Sequence, residues 1–181
     1  MLLRHAKSDW PDVRDRDRPL AKRGRRDAPR IGRWLHDHGY VPDVVVCSVA
    51  RRTRQTWELV AGELDGSPSV RFEPRAYEAS ALTLLDLIRE LPGRYRAALL
   101  IAHNPGLWEL AASLTGSPAG DGGAPPAGLR FPTSAVAVFE FEADWAALSP
   151  AQTRLTGFTT PADLSLSRAG CPLPRRNGAA E

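Results

Sequence analysis

Short apolar runs at residues 2–4, 44–47, 97–102 and 135–141, with a weaker one near 154–158, punctuate this chain. Several are apolar without a break. A strand with one face in water alternates apolar and polar side chains, so an unbroken run marks a strand covered on both faces, as in a parallel sheet flanked by helices. The segments between carry helical periodicity: Leu20, Ala28, Ile31 and Leu35; then 51–64; then Leu82, Leu85, Ile88 and Leu91; then 107–114. This alternation predicts an α/β fold of three layers, α/β/α, around a mostly parallel central sheet.

Local signals bound the helices. Ser80 suits the N-cap of the third and Pro92-Gly93 its stop, while Asn104-Pro105 suits the start of the fourth and Gly116 its end. Pro29 falls inside the first helical pattern, where a missing amide donor should kink it. A length of 181 residues favours one domain, expected over 1–164. The stretch GSPAGDGGAPPAGLR at 116–130 lacks an apolar period and is expected to form a flexible loop, and 165–181 a flexible tail.

Charge narrows the partners. The net charge is only +3, yet nine Lys or Arg and three Asp crowd into 14–33, which makes a local positive field. Interleaved Asp15, Asp17 and Asp27, and no aromatic platform beyond Trp34, argue against nucleic acid as the partner. The same field would steer an acidic protein or an anionic phosphate, with Arg14, Arg16 and Arg18 as its leading edge. With only Cys47 and Cys171, no bilayer-length apolar run and no signal-peptide pattern, a cytoplasmic protein with no membrane partner is expected.

In an open α/β sheet, ligands bind beyond the carboxyl ends of the strands. Three runs end on reactive residues: the first at Arg4-His5, the second at Ser48 before Arg51 and Arg52, the third at His103. Guanidinium groups grip phosphate oxygens bidentately and a neutral imidazole can attack phosphorus, so such a cluster suits phosphoryl transfer. The remaining histidines, His36 and His38, sit two apart and off a common helical face, and arginines beside His5 would repel a cation, so no metal is expected. On the residues alone, a phosphate site and a set of structural strand-end residues both remain open.

The chain resembles the histidine phosphatase superfamily, in its phosphoglycerate mutase-like branch, and within it the short SixA-type phosphohistidine phosphatases. LLRHAKS is similar to the Arg-His-Gly signature, with Ala6 where Gly is usual. CSVARRTRQTWELV is similar to the Ser-x-x-x-Arg-Ala-x-Gln-Thr helix start and aligns Arg52 with the phosphate-binding arginine. YEAS and IAHNPGL resemble the later acid region and the second histidine, and DRPLAKRGRRDA and FPTSAVAVFEF resemble further segments of the SixA-like group.

The resemblance implies a phosphoglycerate mutase-like fold and a phosphatase that needs no cofactor. His5 would be the nucleophile, Arg4, Arg52 and a protonated His103 would surround the phosphoryl oxygens, and Glu78 would be the general acid. Ser8 and Asn104 would line the substrate pocket, Asn104 mainly as a helix cap. The implied substrate is a phosphohistidine-bearing protein, since 56–78 holds no large insertion that could cover a metabolite. The alternatives are a small-molecule phosphomonoesterase and a catalytically weak phosphate-binding module.

Overall fold

A computed structural model describes residues 1–115, 131–149 and 153–166. Six strands, β1 (Leu2–Arg4), β2 (Val44–Ser48), β3 (Ser69–Glu73), β4 (Ala98–Ala102), β5 (Val136–Glu140) and β6 (Arg154–Thr159), form one sheet in the order β3-β2-β4-β1-β5-β6. The first four run parallel, and only β5 is antiparallel to its neighbours β1 and β6. Helices α1 (Lys22–Asp37), α2 (Arg51–Ala61), α3 (Ala81–Arg89) and α4 (Gly106–Leu114) follow successive strands, and a short α5 (Asp163–Leu166) comes last.

Strand periodicity divides the core. Leu3, Val45, Cys47, Leu99 and Ile101 face a cluster with Ile31 and Leu35 of α1 and Trp57 and Val60 of α2. Their neighbours Leu2, Val44, Val46, Leu100 and Ala102 face a second cluster with Leu84 and Leu87 of α3 and Leu107 and Leu110 of α4. Successive side chains on a strand point to opposite faces, so two helical layers sandwich the sheet, as the unbroken apolar runs predict. Every residue of β2 and β4 is buried. β1 has only three residues, but it is hydrogen-bonded on both sides.

Some local expectations are corrected. β3 has no counterpart among the predicted strands, because its residues Ser69 to Arg71 and Phe72 are exposed or half-buried at the sheet edge and carry no apolar run. α1 starts at Lys22 and continues through Pro29 as one element, the freed carbonyl of Arg25 lying on an exposed residue that water reaches. α2 stops at Ala61, short of the expected Leu64. Ser80 does cap α3, its hydroxyl accepting the Thr83 N–H at 3.2 Å. Asn104 does not cap α4: the N-cap residue is Pro105, and the Asn104 amide donates to the Phe131 carbonyl at 3.0 Å. The expected loop at 116–130, with Gly116, lies outside the described residues, as does 167–181 of the expected tail; α5 extends through Leu166, past the expected boundary at 164.

Candidate active site

Parallel pairing brings the strand ends together. Arg4 pairs with Ala102 and Cys47 with Ile101, which sets His5, Ser48 and His103 side by side at one edge of the sheet. The His5 amide donates to the Ala102 carbonyl, and the two imidazoles lie 5.2 Å apart between ring centroids. Arg52 enters from the first turn of α2, and its NH2 donates to His103 Nδ1 at 3.3 Å. Arg4, His5, Arg52 and His103 therefore meet in one place, with His5, Arg52 and His103 each less than a tenth exposed.

Hydrogen bonds fix the tautomers. His5 Nδ1 lies 2.8 Å from the Ala6 carbonyl, which can only accept, so Nδ1 carries the proton and Nε2 keeps its lone pair. Arg52 can only donate, so His103 Nδ1 is the acceptor and its Nε2–H donates to Ser48 Oγ at 2.8 Å. Burial, the neighbouring His103, and Arg52 and Arg4 push the His5 pKa down to about 3, against the Ala6 hydrogen bond. Burial, then Arg52 and Arg4, push His103 down to about 3 as well. The free site thus holds two neutral imidazoles. The Asp15 carboxylate, which faces Arg52, opposes the shift of His103 without reversing it.

The motif around Arg52 also holds the loops. Thr56 Oγ1 accepts the Ala6 N–H at 2.9 Å and donates to the Arg52 carbonyl, which ties the turn after His5 to α2. Gln55 accepts the Leu20 N–H at 2.8 Å. Arg4 donates to the Phe131 carbonyl at 3.0 Å, the same oxygen that receives Asn104. Arg4 Nε, Asn104 Oδ1 and Ser134 Oγ are buried with no partner among the described residues. Burial lowers the Arg4 pKa from its ordinary value, but a guanidinium stays charged throughout the physiological range.

Other predicted residues are placed differently. Ser8 is buried, and its hydroxyl accepts from Arg18 at 2.8 Å. Arg18 is buried too, bonded to the Asp9 carbonyl and Asp15 and stacked 3.2 Å from the Trp10 ring centroid, so it does not belong to an exposed basic edge. Glu78 is exposed and has φ 51°.

Two residues that the motifs do not single out complete the site. Asp15, in a 3₁₀ turn at Asp15–Asp17, receives Arg52 twice: NH1 donates to its carbonyl at 2.7 Å and NH2 to Oδ2 at 3.0 Å. The Tyr77 hydroxyl donates to the same Oδ2 at 2.7 Å, and its ring meets His103 edge-on at 5.5 Å. Hydrogen bonds from Tyr77, then Arg18 and Arg52, hold the Asp15 pKa far below the usual carboxylate range although partial burial opposes them. Asp15 hides in a run of alternating charges, and Tyr77 is legible only as the first residue of YEAS.

A groove of about 370 Å³ lined by Arg16, Arg51, Arg54 and Glu58 adjoins the site. The larger cavity, about 550 Å³, lies elsewhere: Met1, Ala97 and Ala98 in its lining place it at the opposite strand ends, away from both histidines. Among the described residues no group of His, Cys, Asp or Glu is arranged to hold a metal ion, and no helix is long and apolar enough to cross a membrane.

The model of the histidine phosphatase superfamily (branch 1) matches residues 1–106. An uncharacterised Mycobacterium tuberculosis protein is 37% identical over 163 residues, covering 88% of this chain and 99% of its own. Two solved structures assigned as phosphohistidine phosphatase SixA, from Nakamurella multipartitia and Agrobacterium tumefaciens, are each 30% identical with a TM-score of 0.74. Each match covers 88% of this chain, and 95% and 96% of theirs.

Proposed function

Since this chain belongs to branch 1 of the histidine phosphatase superfamily, we propose that it hydrolyses phosphoryl groups through a covalent phosphohistidine on His5, with a phosphohistidine-bearing protein as substrate. The observation that carries this reading is the His5 tautomer: the Ala6 carbonyl holds Nδ1–H, leaving Nε2 unprotonated among Arg4, Arg52 and His103. Nε2 attacks phosphorus and the bond to the leaving group breaks. Water then attacks the same phosphorus, the electron pair of the N–P bond returns to Nε2, and phosphate departs with the protons of the water.

Arg4, Arg52 and His103 act as fixed donors toward the phosphoryl oxygens, whose charge shifts in the transition state. A bound phosphate would also favour the imidazolium form of His103, by adding negative charge beside the ring. Ser8 acts through Arg18 and Asp15, which hold Arg52, and Asn104 through the carbonyl it shares with Arg4. Glu78 remains the candidate acid for ester substrates. A phosphohistidine needs less help, because imidazole is a good leaving group.

The likeness to the SixA structures supports the protein substrate. So does the chain path: the segment between α2 and α3 is short and holds β3 and a 3₁₀ turn at Pro74–Ala76, with no lid inserted there. Soluble and intracellular residence fits this reading. The test is to incubate the protein with a phosphorylated histidine-phosphotransfer protein and follow label. Transfer of acid-labile phosphate to His5 followed by release of phosphate is the expected result. Unaltered turnover in His5→Ala would overturn it, and preferential hydrolysis of sugar or nucleotide monophosphates would favour a small-molecule phosphomonoesterase.

A further inference from the structure

The loop ahead of α1 places a carboxylate where the chemistry above asks for none. Asp15 gives its carbonyl and Oδ2 to Arg52 and its Oδ1 to Arg18, and the same Arg52 Nη2 touches His103 Nδ1. Its carboxylate is thus one guanidinium nitrogen away from the centre that must receive phosphate. The Asp15 side chain is still 42% exposed, so it faces incoming molecules as well as Arg52. Tyr77 anchors Oδ2 from the other side and presents its ring at the rim, beside His103.

A fixed negative charge in that position opposes a phosphate ester, whose leaving group is uncharged and whose phosphoryl group is anionic. A phosphohistidine differs in the leaving group. When its ring is protonated on the nitrogen far from phosphorus, the phosphoryl group arrives attached to a cation with an N–H to donate. A carboxylate at the rim then stabilises this substrate and disfavours the ester.

We propose that Asp15 is a specificity-determining residue, selecting a phosphoryl group carried on a protonated imidazole over one carried on an alcohol or phenol oxygen. The inference rests on the phosphohistidine reading of the site. As His5 Nε2 bonds to phosphorus, the P–N bond of the substrate breaks and its electron pair stays on the departing ring nitrogen. The proton on the far nitrogen remains, so the ring leaves as neutral imidazole and no acid is required. By accepting that far N–H, Asp15 raises the share of substrate in the reactive form. Tyr77 supplies a flat wall against which the ring lies.

The experiment compares kcat/KM of the full chain for a phosphohistidine peptide and for 4-nitrophenyl phosphate, in the wild type, Asp15→Asn and Asp15→Glu. Circular dichroism checks that each variant is folded. The ratio of the two kcat/KM values is expected to fall at least tenfold in Asp15→Asn and to return to within threefold of the wild type in Asp15→Glu, which keeps the charge. A parallel loss on both substrates, with the ratio unmoved, overturns the proposal and leaves Asp15 as a prop for Arg52. A ratio that rises in Asp15→Asn overturns it too. Failure of the substrate reading looks different: the wild type itself would not turn over the phosphohistidine peptide.

Discussion

The carbonyl of Ala6 decides which nitrogen of His5 keeps its lone pair, and burial holds that ring neutral. An ordinary histidine is half protonated near pH 6.5, whereas burial and the neighbouring cations push His5 and His103 down to about 3. Phosphorylation of His5 at pH 5 should therefore stay within about threefold of that at pH 7 once substrate ionisation is corrected for, as quench-flow with labelled donor would measure. The same shifts set a stability slope. Below pH 6.5 the unfolded chain takes up protons that the folded one refuses, so stability is highest above that pH and falls toward pH 3, by up to about 1.4 kcal/mol per pH unit for each histidine. Urea midpoints across this range should fall less steeply in His103→Asn. On the proposed mechanism Arg52→Ala removes a donor to the phosphoryl oxygens and should lower kcat by on the order of a hundredfold, read in the steady state.

Elements hold these residues through a few backbone contacts. Thr56 of α2 is fully buried and satisfies the Ala6 N–H; in Thr56→Val that amide loses its partner, a cost of about 1–3 kcal/mol visible in chemical unfolding. α4 approaches the turn before α3 so closely that a Cβ on Gly106 would run into the Ala79 carbonyl, so Gly106→Ala should destabilise by about 1–3 kcal/mol. The central strands and four main helices were legible in the sequence because burial on both faces, or on one helical stripe, leaves a period. β3 left none, since an edge strand with wet faces is chemically like a loop. His5, Arg52 and His103 were legible as residues at strand or helix ends. Asp15 was not, because nothing in a run of alternating charges marks which carboxylate turns inward. Asn104 carries the signature of a cap, but Phe131, a partner distant in sequence, takes its amide.

At the scale of the molecule, the basic segment splits into two kinds of charge. Arg18 is walled in by Ser8, Asp15 and Trp10, while Arg14 and Arg16 stay exposed beside the site. Replacing Arg14 and Arg16 together with Glu should lower kcat/KM for an acidic protein substrate several-fold at low ionic strength and leave kcat nearly unchanged. That difference should fade above about 0.3 M salt, as screening shortens the reach of the field. Arg18→Glu should instead unfold the loop that carries Asp15.

The reversed course of β5 has a consequence for any shortened version of this protein. Parallel strands send their exits to the reactive edge, but β5 sends its entry there, so the 131–135 turn arrives beside Arg4. From that turn come the carbonyl that grips the Arg4 guanidinium and the amide of Ser134, which reaches the carbonyls of Arg4 and His5. A fragment ending at residue 106 would retain His5, Arg4, Arg52 and His103, yet its first strand would be unclasped on one side. Possessing the motif and possessing the assembled site are separable, and the border between them falls in a stretch of main chain that no side-chain signature could announce.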